Sequence, residues 1–495
     1  MLLSFKGLKP FQLSEYIFLA LFAFFIPMSW RIATYAMIGI FVCTILKGIF
    51  EEGFKTNELQ YRNKFAYFIF IAFWIVYAIS FLYSENTAEA RVQIGKKLSF
   101  LLFPLFFMTS NLSYLTKDRV RTVMYCFVIG ILTLFVINLF WAGYDVLIEN
   151  ESINRFYEPR LLKDGTGYIH HTYTSIYSCL GISFCFYELF IRHSFKIKLF
   201  NVFSIILLVL FIVLSSSRAG VLCVAVILVV SWFWLTFIKK EKKVGYSVGV
   251  IFFSLIVICS IVFNKSIKRI TETITNIDNI EKQDRRIGIT IGYKDLLIDK
   301  FWFGVGCGDR SDETLKSYLA KKEELIQNIK PVDGIYSSVF EENRRLCLES
   351  VREKYKGTLS DSTFEYAKEM AKKYGCDYNS VRENLATFIN VYVAINSGCN
   401  AHNQYSDTII AVGIIGLLLL LGFFIAPVYL WIKNKNFDIV FFSLLLIAAF
   451  NCLFESIFER QMGIMFFVFF YFLLFHGNFC QQTTDNSQQT LSNLK

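Results

Sequence analysis

His402 and Asn403 stand directly before the apolar run TIIAVGIIGLLLLLGFF. Arg218 follows three serines in VLSSSRAGVLCV, between two apolar runs, and Arg285 and Arg286 precede a segment that ends in GVGCGD. A neutral imidazole accepts a proton near pH 7, so His402 can serve an attacking hydroxyl. A guanidinium stays protonated and presents a planar fork that suits phosphate oxygens. Ser217 and the N–H groups of the helix after Arg218 would strengthen an anion site there. Each cluster also has a plain reading. Asn403 suits a helix N-cap with His402 as an interfacial residue, Arg218 suits a loop cation reaching lipid headgroups, and the arginine pair suits a solvated loop face.

Two weaker features accompany these. In FESIFERQMG, Glu455 and Glu459 are four apart and can share a helix face, with Arg460 next to them; a solvated turn is the alternative. GYIHHTYTSIY brings His170, His171 and Tyr173 to the start of another apolar run, where histidines are commonly interfacial. The glycines of GVGCGD do not match the G-x-G-x-x-G of a dinucleotide loop after a strand. Neither H-E-x-x-H nor C-x-x-C spacing occurs, so no motif-built metal site is expected.

The elements that position these residues are set by composition. Of 495 residues 55% are hydrophobic and only 18% charged, against roughly 25% in an ordinary soluble domain. Apolar runs recur near the ~20 residues that cross a bilayer. The expectation is an all-α polytopic membrane protein in contact with the lipid bilayer. Twelve helices are predicted near 14–30, 32–50, 64–83, 97–110, 121–141, 171–191, 198–215, 219–238, 245–264, 405–432, 437–454 and 462–476. The net charge of +10 fits cytoplasmic Lys and Arg and calls for no nucleic acid partner.

Basic residues set the orientation. FKGLK, FKTNELQYRNK, TKDRVR, RHSFKIK, KKEKK and KNK all fall on one side, which makes both termini cytoplasmic. The predicted organisation is spans 1–9 in 1–264, an extracytoplasmic helical loop in 265–402, spans 10–12 in 403–476 and a cytoplasmic tail in 477–495. Cys307, Cys347, Cys376 and Cys399 lie in that loop and permit up to two disulfides. Every polar cluster above then lies on the extracytoplasmic face. A carrier such as a lipid-linked oligosaccharide flippase remains a different class; carriers place charge at mid-bilayer, whereas here the span interiors are nearly free of it.

Together SSSRAG at 215–220, an arginine eighteen residues before GVGCG, AHNQYSDTIIAVGIIGLLLLLGFF after a large outer loop, and FESIFERQMGIMFF resemble the O-antigen ligase and polymerase superfamily of bacterial inner-membrane glycosyltransferases. The resemblance covers about 200 to 480 best. HHTYTSIY also looks like a family element. The chain departs from the family in having Thr290 four residues after the second arginine and Phe301 before G-x-G, so Arg286 is taken over Arg285 on spacing.

The resemblance implies a helical fold of the lipid-donor glycosyltransferase (GT-C) type. It implies transfer of a glycan from undecaprenyl diphosphate to an acceptor hydroxyl without a metal or other cofactor, with the active site facing the periplasm. Ligation of O-antigen onto lipid A-core, in lipopolysaccharide biosynthesis, is the leading expectation. Polysaccharide polymerase and protein O-oligosaccharyltransferase are the alternatives within the family. It casts His402, Arg218 and Arg286 as catalytic. Ser217, Arg285, Asn403, His171, Tyr173, Glu455, Glu459 and Arg460 are cast as substrate-binding.

Overall fold

The computed structural model describes residues 7–52, 64–151, 155–156, 159–162, 169–191, 194–215, 218–238, 294–317 and 402–480. Among the described residues all regular structure is helical. The helices are α1 (Pro10–Phe25), α2 (Trp30–Lys47), α3 (Lys64–Ser80), α4 (Thr87–Lys96), α5 (Ser99–Thr109), α6 (Lys117–Leu147), α7 (His171–Ile191) and α8 (Phe195–Leu214). They continue with α9 (Arg218–Phe233), the short α10 (Lys294–Asp299), α11 (Gln404–Asn434), α12 (Ile439–Phe454) and α13 (Gln461–Phe475). Nine of the described helical segments are long and apolar enough to cross a membrane, and α1 and α12 are shorter apolar helices. The chain is an integral membrane protein by this measure. The predicted span 245–264 and most of the 265–402 loop lie outside the described residues, so the total of twelve rests on the sequence.

The chain divides into two compact units. The larger comprises Met1–Ile75, Gly95–Val257 and Leu419–Lys495, and the smaller comprises Val76–Ile94 and Ile258–Leu418. In the larger unit α13 is the central element, buried from Gly463 through Phe475. A helix that is apolar all round belongs in such a place. Aromatic pairs lock it in: Phe469 lies 4.3 Å from Phe22 and Phe472 lies 4.9 Å from Tyr67, ring to ring. Phe70 stacks on Phe423 at 3.9 Å. By contrast α8 turns Leu199, Phe203 and Ile206 outward, and α2 does so with Tyr35, Ile38 and Ile45, which suits contact with acyl chains.

The smaller unit is organised by a break in α11. The span predicted as 405–432 is not one continuous helix, because Gly413 has φ 72° and ψ −165°. That conformation is open essentially to glycine alone. The break strands the carbonyls of Ile410 and Ala411 and the N–H of Ile414. In an apolar helix each needs a replacement partner. The segment 301–306 supplies all three: Val305 and Gly306 donate to Ile410 and Ala411 at 2.7 and 3.1 Å, and Ile414 donates to the Phe301 carbonyl at 2.8 Å. Gly304 and Gly306 take positive φ to present those groups. The glycines of GVGCGD therefore serve the backbone of α11. Beyond them, 310–317 is helical. Cys307 is buried with its sulfur 3.7 Å from the Tyr77 carbonyl, while Cys347, Cys376 and Cys399 fall outside the described residues.

Candidate functional site

In the larger unit one end of the bundle gathers polar residues. It is built from the start of α7, the start of α9, and the turn between α12 and α13. Gly220 brings α9 hard against α7: a Cβ there would lie 2.6 Å from Cβ of Ser175. This contact packs the start of α9, which Arg218 opens, against α7 at Ser175. His171 opens that turn and its carbonyl accepts from the Ser175 hydroxyl at 2.8 Å. His170 and His171 stack at 4.2 Å. Tyr173, one residue into the helix beyond Thr172, is buried, and its hydroxyl donates to the Ile457 carbonyl at 3.4 Å. Tyr177 donates to the Met462 carbonyl at 3.2 Å, so α7 holds the α12–α13 turn from two positions.

That turn carries Glu455, Glu459 and Arg460. Glu455 is half-buried, Arg460 is exposed, and Glu459 is buried. Glu459 is not on a solvated turn, because the 3-10 segment Ile457–Glu459 packs inward and its carboxylate meets Lys97 at 3.0 Å. Lys97 is itself fully buried. The sequence around Lys97 does not announce this partner, which lies 362 positions away. A second buried pair at this end, Arg160 with Asp145, was also missed. Its loop is tied to the entry of α7 by the Ile169 N–H, which donates to the Pro159 carbonyl at 2.9 Å.

His402 and Asn403 belong to the smaller unit. Asn403 caps α11, accepting at its side chain from the Ser406 N–H at 3.0 Å and at its carbonyl from the Asp407 N–H at 3.0 Å. The N-cap expectation for Asn403 is met. His402, half-buried, takes φ 48°, a left-handed backbone that non-glycine residues adopt rarely. One turn on, Asp407 is fully buried and paired with buried Arg310 at 2.6 Å. Arg310 directly follows GVGCGD, so the loop that mends the break in α11 also anchors the helix start that presents His402. The only available signal was an acid in the first turn of a long apolar run. Ser217, Arg285 and Arg286 lie outside the described residues, and of Arg218 the helix position alone is described.

Residues 203–341 match the family model described as O-antigen ligase. Over that segment the chain is similar to the O-antigen ligase and polymerase superfamily, and the match supports membership. The matched segment contains Arg218, Arg285, Arg286 and the glycines that dock on α11, and it ends before His402. No curated protein matches the chain. Members of that family are broadly of glycosyltransferase type.

Proposed function

We propose that this protein transfers a glycan from undecaprenyl diphosphate to an acceptor hydroxyl, as an O-antigen ligase acting on lipid A-core at the periplasmic face of the bacterial inner membrane. The observation that carries this reading is the O-antigen ligase match over residues 203–341, which spans the arginines that sequence analysis selected for a diphosphate.

The chemistry assigned to the residues is a single in-line displacement. The acceptor oxygen attacks the anomeric carbon and passes its proton to His402. The bond from that carbon to the diphosphate oxygen breaks, and its electron pair leaves with undecaprenyl diphosphate. Configuration at the anomeric carbon inverts. Arg218 and Arg286 meet the charge that develops on the leaving group, the kind of fixed electrostatic stabilisation that contributes most where water is excluded. Arg285, Ser217 and Asn403 bind around the diphosphate. His171, Tyr173, Glu455, Glu459 and Arg460 bind sugar hydroxyls at the bundle end. The Asn403 cap and the Arg310–Asp407 pair support the assignment by fixing the helix start that carries His402.

His402→Ala is expected to lower transfer by about 10²–10⁴ while the protein still inserts. Near-normal transfer by that variant in a clean deletion strain sinks the role of the imidazole. Arg218→Lys is expected to fail as well, since an ammonium lacks the bidentate fork. The acceptor is read from a lipopolysaccharide gel of the deletion strain. Core without a ladder, with lipid-linked polymer accumulating, supports a ligase. Core bearing one repeat unit indicates a polymerase, and loss of glycoprotein alone indicates a protein O-oligosaccharyltransferase. Transfer from purified lipid-linked glycan without ATP or an ion gradient separates all three from a flippase.

A further inference from the structure

In the smaller unit the segment 298–303 turns its large apolar side chains outward. Trp302 is 68% exposed and Phe303 73%, and Ile298 and Phe301 are exposed with them. The backbone beneath these side chains is held on two sides. Along α11 it makes bonds that mend the break at Gly413, among them the one from the Ile414 N–H to the Phe301 carbonyl. At the end of α3 the Tyr83 hydroxyl donates to the Phe303 carbonyl at 2.7 Å. The Cys307 and Gly308 N–H groups donate to the Ser80 and Ser84 hydroxyls, each at 3.2 Å. The Asp309 carboxylate accepts from the Glu85 and Asn86 N–H groups, both at 2.8 Å. A backbone bonded this closely fixes the direction of the rings it carries. Large apolar groups held outward side by side mark a surface that meets something apolar.

Two observations in the same unit point to lipid as that partner. First, the segment borders the outward apolar residues of two spans. Ile79 and Leu82 at the end of α3 are exposed, and so are Ile415 and Leu418 beyond the break in α11. Second, helix lengths give the depth. The span Lys64–Tyr83 has 20 residues, so Tyr83 closes a helix just long enough to cross a hydrocarbon core of ~30 Å. On α11, counting ~20 residues back from Lys433 ends at Gly413, which lies against the Trp302 carbonyl. Both counts bring 298–303 to the boundary between acyl chains and headgroups, where tryptophan and tyrosine concentrate. Asp299 and Lys300 beside the rings are both exposed and opposite in charge, so the contact requires no net charge on the lipid.

We propose that 298–303 is a membrane-interface anchor. Ile298, Trp302 and Phe303 insert among the lipids of the leaflet away from Lys64 and Lys433, the extracytoplasmic one by the charge bias. This part of the long segment between α9 and α11 then lies in the membrane surface and not in the aqueous phase. Through it the bilayer sets the depth of the loop that mends α11. A second copy of the chain is the rival occupant of the patch.

Tryptophan quenching of the full-length protein in liposomes tests this. The difference in emission between the parent and Trp302→Phe isolates Trp302 from the rest of the seven tryptophans. Phosphatidylcholine brominated near the headgroup end of its acyl chains is expected to remove most of that difference emission. Lipid brominated near the chain ends should remove less, and aqueous iodide little. The pattern should be the same when phosphatidylglycerol is the host lipid. Phe303→Trp in the Trp302→Phe background moves the reporter by one residue and should repeat it. Quenching by iodide and not by brominated lipid overturns the proposal, because the rings are then in water. Quenching by neither overturns it as well, because the rings are then covered by protein; loss of a dimer in W302S/F303S would identify the cover as a second copy. A requirement for phosphatidylglycerol also overturns it, since the contact would then be made by Lys300 and not by the rings. No readout here uses glycan transfer, so this proposal stands or falls apart from the transferase reading.

Discussion

Among the described residues of the larger unit are two buried lysine–glutamate pairs, and they differ in what surrounds them. Lys47 and Glu15 join α2 to α1. The Glu15 carboxylate also accepts from Thr44 at 2.5 Å, Tyr114 at 2.7 Å and Ser110 at 3.2 Å, while Lys47 donates to Ser110 at 2.8 Å and to the Asn111 carbonyl at 3.1 Å. That network is closed on itself. Lys97 and Glu459 are buried as deeply, but the turn that holds Glu459 also carries half-buried Glu455 and exposed Arg460, with Tyr173 against it. Burial and pairing alone do not mark a functional residue. A pair beside an exposed charge such as Arg460 is the better candidate, and a pair enclosed by neighbouring hydroxyls, as Lys47 and Glu15 are, belongs to the fold.

The largest expected effect does not separate the two pairs and sets their common scale. Lys47→Met or Lys97→Met leaves a carboxylate buried without its cation, at a cost of about 3–5 kcal/mol. Thermal unfolding in detergent should show both variants strongly destabilised. A mild loss in either would mean that its carboxylate is already compensated by other groups.

Removing both partners separates them. Replacing an ion pair by apolar residues of similar volume is often neutral for stability. K47M/E15L should fold and keep glycan transfer. K97M/E459L should fold and lose transfer by about a hundredfold, the scale of one lost electrostatic contact in an active site. Equal transfer by the two double variants would erase the distinction and return Glu459 to the fold.

The third effect lies in the smaller unit, where the closed network is made of backbone. Gly413→Ala forces a left-handed conformation on alanine, and its Cβ would lie 2.2 Å from the Trp302 carbonyl. A residue held in so sparsely populated a region costs about 1–3 kcal/mol before that clash is counted. The variant should unfold at lower temperature in proportion. Unchanged stability would show that 301–306 can release α11 and let it run straight.

What was legible from sequence follows from which interactions are local. The span predicted at 171–191 coincides with α7, and 64–83 with α3 and the short turn after it, because hydropathy depends only on neighbours. The span predicted at 121–141 is the interior of a 31-residue helix, Lys117–Leu147. Its charged first turn, KDRVR, is helical but carries no apolar signal. The break at Gly413 was illegible because TIIAVGIIG is apolar on both sides of it, and its mending partners come from 301–306. Lys97 and Arg310 were missed for the same reason: nothing around either residue announces a carboxylate on a distant segment. His402, Asn403 and the Glu455–Arg460 turn were legible because a polar residue at the end of a long apolar run is anomalous in its own neighbourhood.

Asp438 gives the finest test of the contrast, because it is a carboxylate of the bundle without the saturation that Glu15 enjoys. Burial pushes its pKa up, and the Phe441 and Val440 N–H groups together with Arg121 and Lys117 only partly offset this. The sign follows from linkage. A carboxyl with a raised pKa binds its proton more tightly in the folded protein than in the unfolded chain. Stability is therefore lost as pH climbs from about 4, the ordinary carboxylate value, through the raised one. Asp438→Asn keeps a side-chain oxygen to accept from Phe441 and removes the titration, and Asn and Asp cap about equally well. The variant should match the parent at low pH and become slightly the more stable of the two near neutrality. The gain should be smaller than the ~1 kcal/mol that loss of a cap would cost. Unfolding midpoints measured across that range decide it: if the parent gains stability over the variant as pH rises, then Arg121 and Lys117 outweigh burial, and this end of the bundle compensates its carboxylates as completely as Glu15 is compensated.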